Sequence, residues 1–133
     1  MPAIKTKCVW DKFDSREDGL RILATRYIPR GCPKKDYDIW MANLGPSERL
    51  LKAFLGGKIT WDEFSRRYRA EQMGQDAKEA NNPRIRNSGQ KFTLRLLKRL
   101  AGSQQVTLLC NCASDEKHCH RHLLKGMLEA KSL

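Results

Sequence analysis

Long hydrophobic runs are missing from this sequence. Its longest apolar stretches, such as Val106–Cys110, fall far short of the roughly 20 apolar residues that cross a bilayer. The N-terminal segment MPAIKTKC also lacks the apolar core of an export signal. We therefore expect one soluble domain over residues 1–133, located in the cytoplasm and without a membrane partner.

Acidic residues are scarce relative to basic ones. The chain has 15 aspartate and glutamate residues against 26 lysine and arginine residues, a formal net charge of +11. Because a positive field attracts polyanions, nucleic acid or a phosphorylated small molecule is a candidate partner. A basic protein that is only well solvated is the alternative, since net charge says nothing about geometry.

The chain also lacks an even number of cysteines. Its five cysteines, with no export signal, favour free thiols over a disulfide framework. Three of them, Cys110, Cys112 and Cys119, fall in the short stretch LLCNCASDEKHCHRHLL, which also holds all three histidines. This stretch is the first place to look for metal binding or thiol chemistry.

Three segments have the pattern of β-strands. The segment AIKTKCVW alternates apolar and polar residues, as at the edge of a sheet. Ile22–Ala24 and Val106–Cys110 are short apolar runs that suit strands buried on both faces of a parallel sheet. Helical patterns separate them. We therefore predict an α/β fold with a small, mainly parallel sheet of about three strands, flanked by about five helices in αβα layers.

Capping residues and glycines mark the ends of the predicted helices. Ser47 is a candidate N-cap, and Thr60 with Glu63 matches a capping box. Residues 74–90 show no periodicity and are predicted to form an exposed connection. The predicted helices run from about Asp36 to Gly45, from Ser47 to Gly56, from Thr60 to Met73, from Lys91 to Gly102, and from Ser114 or Asp115 to the C-terminal region.

The two buried strands run into segments rich in functional groups. In open parallel sheets, ligands bind beyond the carboxyl ends of the strands. If these two strands are neighbours, Arg26 and Arg30 after the first lie close to Arg121 after the second. The N-terminus of the last helix points to the same place and favours an anion. We predict an anion site formed by these three arginines, whose guanidinium groups suit phosphate or carboxylate.

Cys119 is the candidate nucleophile of the predicted site. A position in the first turn of a helix, beside Arg121, would lower the pKa of its thiol. His118 or His120 could act as its base, and Cys110 would line the same pocket. The alternative is that Cys119 is an inert cysteine buried under the loop.

Metal binding is an alternative interpretation of the same stretch. Zinc requires four thiolate or imidazole ligands in a tetrahedron, and Cys110, Cys112 and Cys119 with His118 could supply them. The C-x-C spacing of the first pair is shorter than the usual C-x(2–4)-C pair. Zinc is therefore the candidate cofactor of this second hypothesis only.

Several short motifs follow one another along nearly the whole chain. Their positions are Asp18, Gly19, Arg21, Leu23, Arg26, Pro29, Arg30 and Gly31; Trp40, Leu44, Pro46 and Ser47; Phe64 and Tyr68; Leu108 and Cys110; and Cys119, His120 and Arg121. In this order they resemble the DUF-488 family, close to its YeaO-like branch. The resemblance implies a small bacterial or archaeal α/β domain, but it assigns no activity. That branch often lacks the cysteines near its C-terminal strand, so their presence here favours a reactive or ligating thiol site.

Three functional hypotheses follow from the sequence. The first is a domain that binds or acts on a nucleotide, a nucleic acid or another phosphorylated ligand at a pocket of cysteine, histidine and arginine. The second is a zinc-binding module, and the third is a non-enzymatic domain that binds another protein. The sequence leaves open whether the protein is an enzyme.

Overall fold

The chain forms a mixed α/β structure. A computed structural model describes residues 4–14, 16–74, 77–79, 82–87, 90–113 and 115–131. Within these residues no helix is both long enough and apolar enough to cross a membrane. The strands are β1 (Lys5–Cys8), β2 (Leu20–Leu23), β3 (Ile39–Trp40), β4 (Ala77–Glu79), β5 (Asn82–Asn87) and β6 (Val106–Cys110), and the α-helices are α1 (Glu48–Leu55), α2 (Trp61–Met73), α3 (Lys91–Ala101) and α4 (His120–Glu129).

Four parallel strands form the main sheet, in the order β1-β6-β2-β3. The α/β class and the mainly parallel sheet are therefore confirmed, with four strands where about three were predicted. β1 lies at an edge, as its alternating pattern indicated. β2 and β6 are neighbours in the centre, and every residue of β6 is buried. Such burial matches the apolar runs from which both strands were predicted.

The two faces of the sheet are covered differently. Alternate residues of the central strands, including Ile22 and Leu108, enter the main core, to which all four α-helices contribute side chains. On the opposite face, Leu23 and Leu109 pack with Val9 from a loop, with Cys32 and Tyr37 beside them. Most of the buried apolar side chains therefore lie in the main core, between the sheet and the α-helices.

Capping explains where the helices begin and end. Ser47 Oγ accepts a hydrogen bond from the amide of Leu50, and Thr60 Oγ1 accepts one from Glu63, which confirms both predicted N-caps. The predicted Ser114 cap lies outside the described residues. The N-cap of α4 is Cys119, without a capping hydrogen bond from its side chain.

The segment predicted as a helix from about Asp36 to Gly45 is extended in part. It contains the short strand β3, preceded by one 3-10 turn and followed by another. The amide of Asp38 donates to Arg21 O at 2.9 Å, and that of Met41 donates to Leu23 O at 2.9 Å. The Asp38 carboxylate also accepts from the amide and guanidinium of Arg21. Pairing with β2 therefore overrides the local helical pattern.

The predicted exposed connection, residues 74–90, contains two short strands. β4 and β5 pair as an antiparallel two-stranded sheet with an irregularity in register after Lys78. No strand was predicted in this segment, and residues 75–76, 80–81 and 88–89 lie outside the described part. A polar segment without periodicity gives no signal for such a ribbon.

Candidate functional site

The central strands bring two distant segments to one edge of the sheet. β2 and β6 are parallel, with Leu20 opposite Val106 and Leu23 opposite Leu109. Their carboxyl ends therefore lie side by side, and the segment after β2 faces the segment that joins β6 to α4. This confirms the neighbouring strands on which the predicted anion site depends.

Three cysteines meet at this edge, and we call Cys110, Cys112 and Cys119 the cysteine cluster. Their sulfur atoms all lie within 4.8 Å of one another. The Sγ atoms of Cys110 and Cys119 are 3.0 Å apart. Cys110 ends β6, Cys112 follows in the loop and Cys119 caps α4, so strand, loop and helix each contribute one thiol.

Arg121 holds the cluster from inside the protein. Its side chain is fully buried in the first turn of α4. Nη1 donates to Cys110 Sγ at 2.9 Å and to Cys112 O at 3.0 Å, and Nη2 donates to Ala113 O at 2.7 Å. The guanidinium therefore fixes the loop after β6 and places a positive charge against a sulfur atom. This position differs from the one predicted for Arg121, which was in direct reach of an external anion.

His120 connects the cluster to the end of β2. Its Nε2 contacts the carbonyl oxygen of Ala24, which requires a proton on Nε2 and leaves Nδ1 as an acceptor. Nδ1 lies 3.9 Å from Cys119 Sγ. Burial lowers the pKa of His120, so the ring is neutral and its Nδ1 can accept a hydrogen bond from the cluster. An edge-on contact with Tyr68 helps to hold it.

The three thiols of the cluster differ in pKa. Hydrogen bonds from Cys110 and then Cys119 lower the pKa of the Cys112 thiol. The contact with Cys112 raises the pKa of Cys110 to about 11, and contacts with Cys110 and Cys112, followed by burial, raise that of Cys119. The cluster therefore releases one proton readily and retains the others, as expected for coupled groups. A lowered pKa was predicted for Cys119, but the structure assigns it to Cys112.

Two cavities of about 290 Å³ each open beside the cluster. We call them the Arg26 cavity and the His118 cavity. Cys112 and His120 line both, and the side chains of Leu51 and Leu55 form their shared apolar wall. Cys112 is therefore reached from two directions. The Arg26 cavity is also lined by Tyr27, Cys110 and Asn111, and the His118 cavity by Glu116 and Cys119.

The two remaining predicted arginines differ in their placement. Arg26 lines the cavity that bears its name, and its Nε and Nη2 donate to Pro46 O at 2.9 Å and Gly45 O at 3.2 Å. Arg30 is exposed further along the same loop. The structure thus places Arg26 beside Cys110, whereas Arg121 lies beneath the cluster.

His118, the predicted fourth metal ligand, lies across the second cavity. Its ring stacks on Trp61 with the centroids 4.9 Å apart, and it shares the cavity with Cys112 and Cys119. His120 is another imidazole near the sulfur atoms, because its Nδ1 is 3.9 Å from Cys119 Sγ. Among the described residues, the three sulfur atoms form a group that could hold a metal ion, and tetrahedral zinc would need a fourth ligand, such as one of these imidazoles.

Tyr27 and Asn111 line the site but were not predicted from the sequence. Tyr27 is half exposed at the wall of the Arg26 cavity, and its hydroxyl contacts Glu48. Asn111 lines the same cavity and accepts a hydrogen bond of 2.6 Å from Nε1 of the exposed Trp10. An aromatic residue in the segment that follows β2, which ends at Leu23, was a usable signal for Tyr27. No local pattern marks Asn111, because its role depends on the pairing of β1 with β6.

The fold and the cluster define a class of protein: a parallel α/β domain with a thiol site at the carboxyl edge of its central strands. The chain belongs to the DUF488 family, because the profile DUF488-N3a, described as "Active DUF488-N3 subclade", matches residues 4–132. It is also similar to a protein of Escherichia coli (strain K12) named "Uncharacterized protein YeaO", with 40% identity over 70 residues. That match covers 51% of this chain and 60% of the relative. No solved structure matches.

Proposed function

We propose that the protein binds a nucleotide unit, free or within a single-stranded nucleic acid, in the Arg26 cavity, where the cysteine cluster can act on it. One observation carries the proposal: an arginine, an aromatic ring and cysteine thiols line a single cavity of about 290 Å³. These groups match the phosphate, the base and a reactive centre of such a ligand.

The walls of the cavity suit a base. Leu51, Leu55 and Pro29 supply apolar surface, and the ring of Tyr27 is half exposed beside them. Unstacked bases bind to aromatic side chains and are hydrogen-bonded at their edges. The amide side chain of Asn111 lies on the same lining and provides both a donor and an acceptor.

The charges of the site suit a phosphate. A guanidinium has five N–H donors, and Arg26 uses two of its nitrogen atoms on the carbonyls of Gly45 and Pro46. These contacts fix the plane of the group, and its other donors can reach an anion in the cavity. The net charge of +11 favours the approach of a polyanion in the first place.

Cys112 is the thiol best placed for reaction. It is half-buried, it lines both cavities, and its pKa is lowered, first by the Cys110 thiol. A thiolate is the nucleophilic form of cysteine. The roles predicted from the sequence therefore shift: Cys112 is the attacking group, Cys119 and Cys110 are its hydrogen-bond donors, and His120 lines both cavities beside it.

Binding of a labelled single-stranded oligonucleotide, followed by fluorescence anisotropy over a series of salt concentrations, tests the proposal. We expect affinity to fall steeply with salt, because phosphate contacts release counterions. Tyr27→Leu should weaken binding about tenfold, as expected for loss of base stacking. Tyr27→Phe keeps the ring and should bind like the unmodified protein. Affinity that is flat across salt, or equal in both variants, would reject the proposal.

A zinc-binding module is the second candidate, and the mutual approach of three sulfur atoms within 4.8 Å favours it. His118 or His120 would complete the ligand set. Arg121 Nη1 already contacts Cys110 Sγ, so a thiolate there has a positive partner without a metal, and for this reason we place this candidate second. Metal analysis of protein purified without a histidine tag decides. Substoichiometric zinc, with an unchanged melting temperature in chelator, would eliminate it.

A further inference from the structure

The three thiols of the cluster differ in access. Cys110 and Cys119 are 1% and 2% exposed, and their sulfur atoms are 3.0 Å apart. Cys112 is half-buried and lines both cavities. A small molecule that enters either cavity therefore meets Cys112, and behind it two buried sulfur atoms already lie close to each other.

We propose that the cluster is a site of oxidation by hydroperoxides, in which Cys112 reacts first and the oxidation ends as a disulfide between Cys110 and Cys119. This inference goes beyond ligand binding, although it uses the same thiols. Its product is a second covalent state of the site, in which β6 and the N-terminus of α4 are joined.

The first two steps form a sulfenic acid and then a disulfide. The Cys112 thiolate attacks the outer oxygen of the hydroperoxide, the O–O bond breaks, and the departing oxygen takes a proton from solvent to give an alcohol, or water from hydrogen peroxide. The sulfur of Cys119 then attacks that of Cys112. The S–O bond breaks, and the hydroxide leaves as water with the proton of the Cys119 thiol.

The third step moves the disulfide into the interior. The sulfur of Cys110 attacks Cys119 Sγ, the bond between Cys112 and Cys119 breaks, and the proton of Cys110 passes to the departing Cys112. In total, two thiols lose two electrons and two protons, and the hydroperoxide is reduced to an alcohol and water. Cys112 ends reduced, as a thiol, and loses one proton to solvent to become again the thiolate that reacts first.

The contacts of the cluster support each transfer. All three sulfur atoms lie within 4.8 Å of one another, so the attacks require only small side-chain movements. Nδ1 of His120 lies 3.9 Å from Cys119 Sγ, within reach of a hydrogen bond from that thiol. Arg121 Nη1 contacts Cys110 Sγ at 2.9 Å and stabilises negative charge on the sulfur that attacks in the third step.

The test follows the thiols of the full chain directly. Reduced protein, first treated with chelator, is exposed to one equivalent of hydrogen peroxide, alkylated and digested with trypsin. Cys110 and Cys112 lie on one tryptic peptide, residues 100–117, and Cys119 lies on the next, residues 118–121. A disulfide to Cys119 therefore links two peptides, and fragmentation between Cys110 and Cys112 shows which of them is bound.

We expect linked peptides whose disulfide joins Cys110 to Cys119. In Cys112→Ser the rate of disulfide formation should fall at least about tenfold, because a buried thiol replaces the accessible one as first reactant. Cys32→Ser changes a cysteine outside the cluster and should leave the rate unchanged. In Cys119→Ser, a dimedone adduct should accumulate on Cys112.

Three results would overturn the inference. They are oxidation of Cys112 to sulfinic acid with no disulfide in the unmodified protein, a disulfide that involves Cys8 or Cys32, and an unchanged rate in Cys112→Ser. The unmodified protein alone can give the first two results, so the test does not depend on whether the variants fold. Oligonucleotide binding under reducing conditions is a separate measurement, so the two proposals can fail independently.

Discussion

The buried guanidinium of Arg121 donates a hydrogen bond of 2.9 Å to the sulfur of Cys110. The same group donates to the carbonyl oxygens of Cys112 and Ala113. One side chain of α4 thus satisfies a thiol and two backbone carbonyls of the loop after β6. The geometry of the cysteine cluster depends on this arginine as much as on the cysteines themselves.

Arg121→Met should therefore destabilise the protein strongly. The substitution keeps an apolar stem of similar length but leaves buried acceptors without their donor, and we expect the free energy of unfolding to fall by about 3 kcal/mol. Urea denaturation followed by circular dichroism measures the change.

Lys125→Met is the matched control on the same helix. Lys125 forms a partly exposed ion pair with Glu129 at 3.4 Å, and we expect its loss to cost less than about 1 kcal/mol. Equal destabilisation by the two substitutions would show that Arg121 does not organise the loop.

Cys112 and Cys32 form a second natural comparison, because both are partly buried free cysteines. Hydrogen bonds from the other cluster thiols lower the pKa of Cys112, whereas burial and then the charge of Asp36 raise that of Cys32. We expect iodoacetamide to modify Cys112 faster at neutral pH, and the difference to widen as pH falls, because only Cys112 keeps its thiolate. Peptide mass spectrometry over a pH series measures both rates in one sample. Faster modification of Cys32 would contradict the assignment.

The sequence carried enough information for the central part of the fold. Ile22 and Leu108 lie in apolar runs too short for helices and bounded by turn residues, which restricts them to buried strands. Parallel pairing of such strands then places their carboxyl ends together. This argument predicted that Arg26 and Cys110 would lie close together, and in the structure both residues line the Arg26 cavity.

The sequence could not predict which side chain of the site faces outward. Cys119 and Arg121 both follow the loop at the start of α4, and local rules give each of them an accessible position. In the structure both are buried, because this face of α4 lies against the sheet. The accessible thiol of the cluster is therefore that of Cys112. Likewise, β3 depends on contacts between Asp38 and Arg21 that no local pattern encodes.

Asp18 gives the stability of the protein a defined dependence on pH. Its buried carboxylate accepts hydrogen bonds of 2.9 Å from Lys5 and Lys7 and one from the amide of Asp14. Burial alone would raise its pKa, but hydrogen bonds from Lys7, Asp14 and Lys5 together lower it from 3.8 to about 2. The folded state therefore favours the ionised form.

The stabilisation by Asp18 should be complete above its unfolded pKa of 3.8 and be lost as pH falls towards about 2. A shift of this size corresponds to about 2 kcal/mol. The free energy of unfolding of Asp18→Asn, subtracted from that of the unmodified protein, should be constant near neutral pH and shrink at acid pH. Asp62→Asn, an exposed carboxylate on α2, is the control and should show no such change. A constant difference down to the acid limit would refute this role of Asp18.

Gly45 and Gly126 should respond in opposite directions to replacement by alanine. A Cβ on Gly45 would lie 2.3 Å from Arg26 N and 2.8 Å from Thr25 C, both of which are backbone atoms that cannot give way cheaply. Gly45→Ala should therefore separate the Gly45 and Pro46 carbonyls from the Arg26 side chain that they orient. We expect a loss of about 1–3 kcal/mol in the free energy of unfolding and weaker oligonucleotide binding.

Gly126→Ala is the control. A Cβ on Gly126 meets nothing within 4 Å in the middle of α4, so this substitution should stabilise the helix by about 0.5–1 kcal/mol without changing binding. Thermal and urea denaturation with the anisotropy assay measure both effects, and a neutral Gly45→Ala would show that the close approach of these two segments does not form the wall of the cavity.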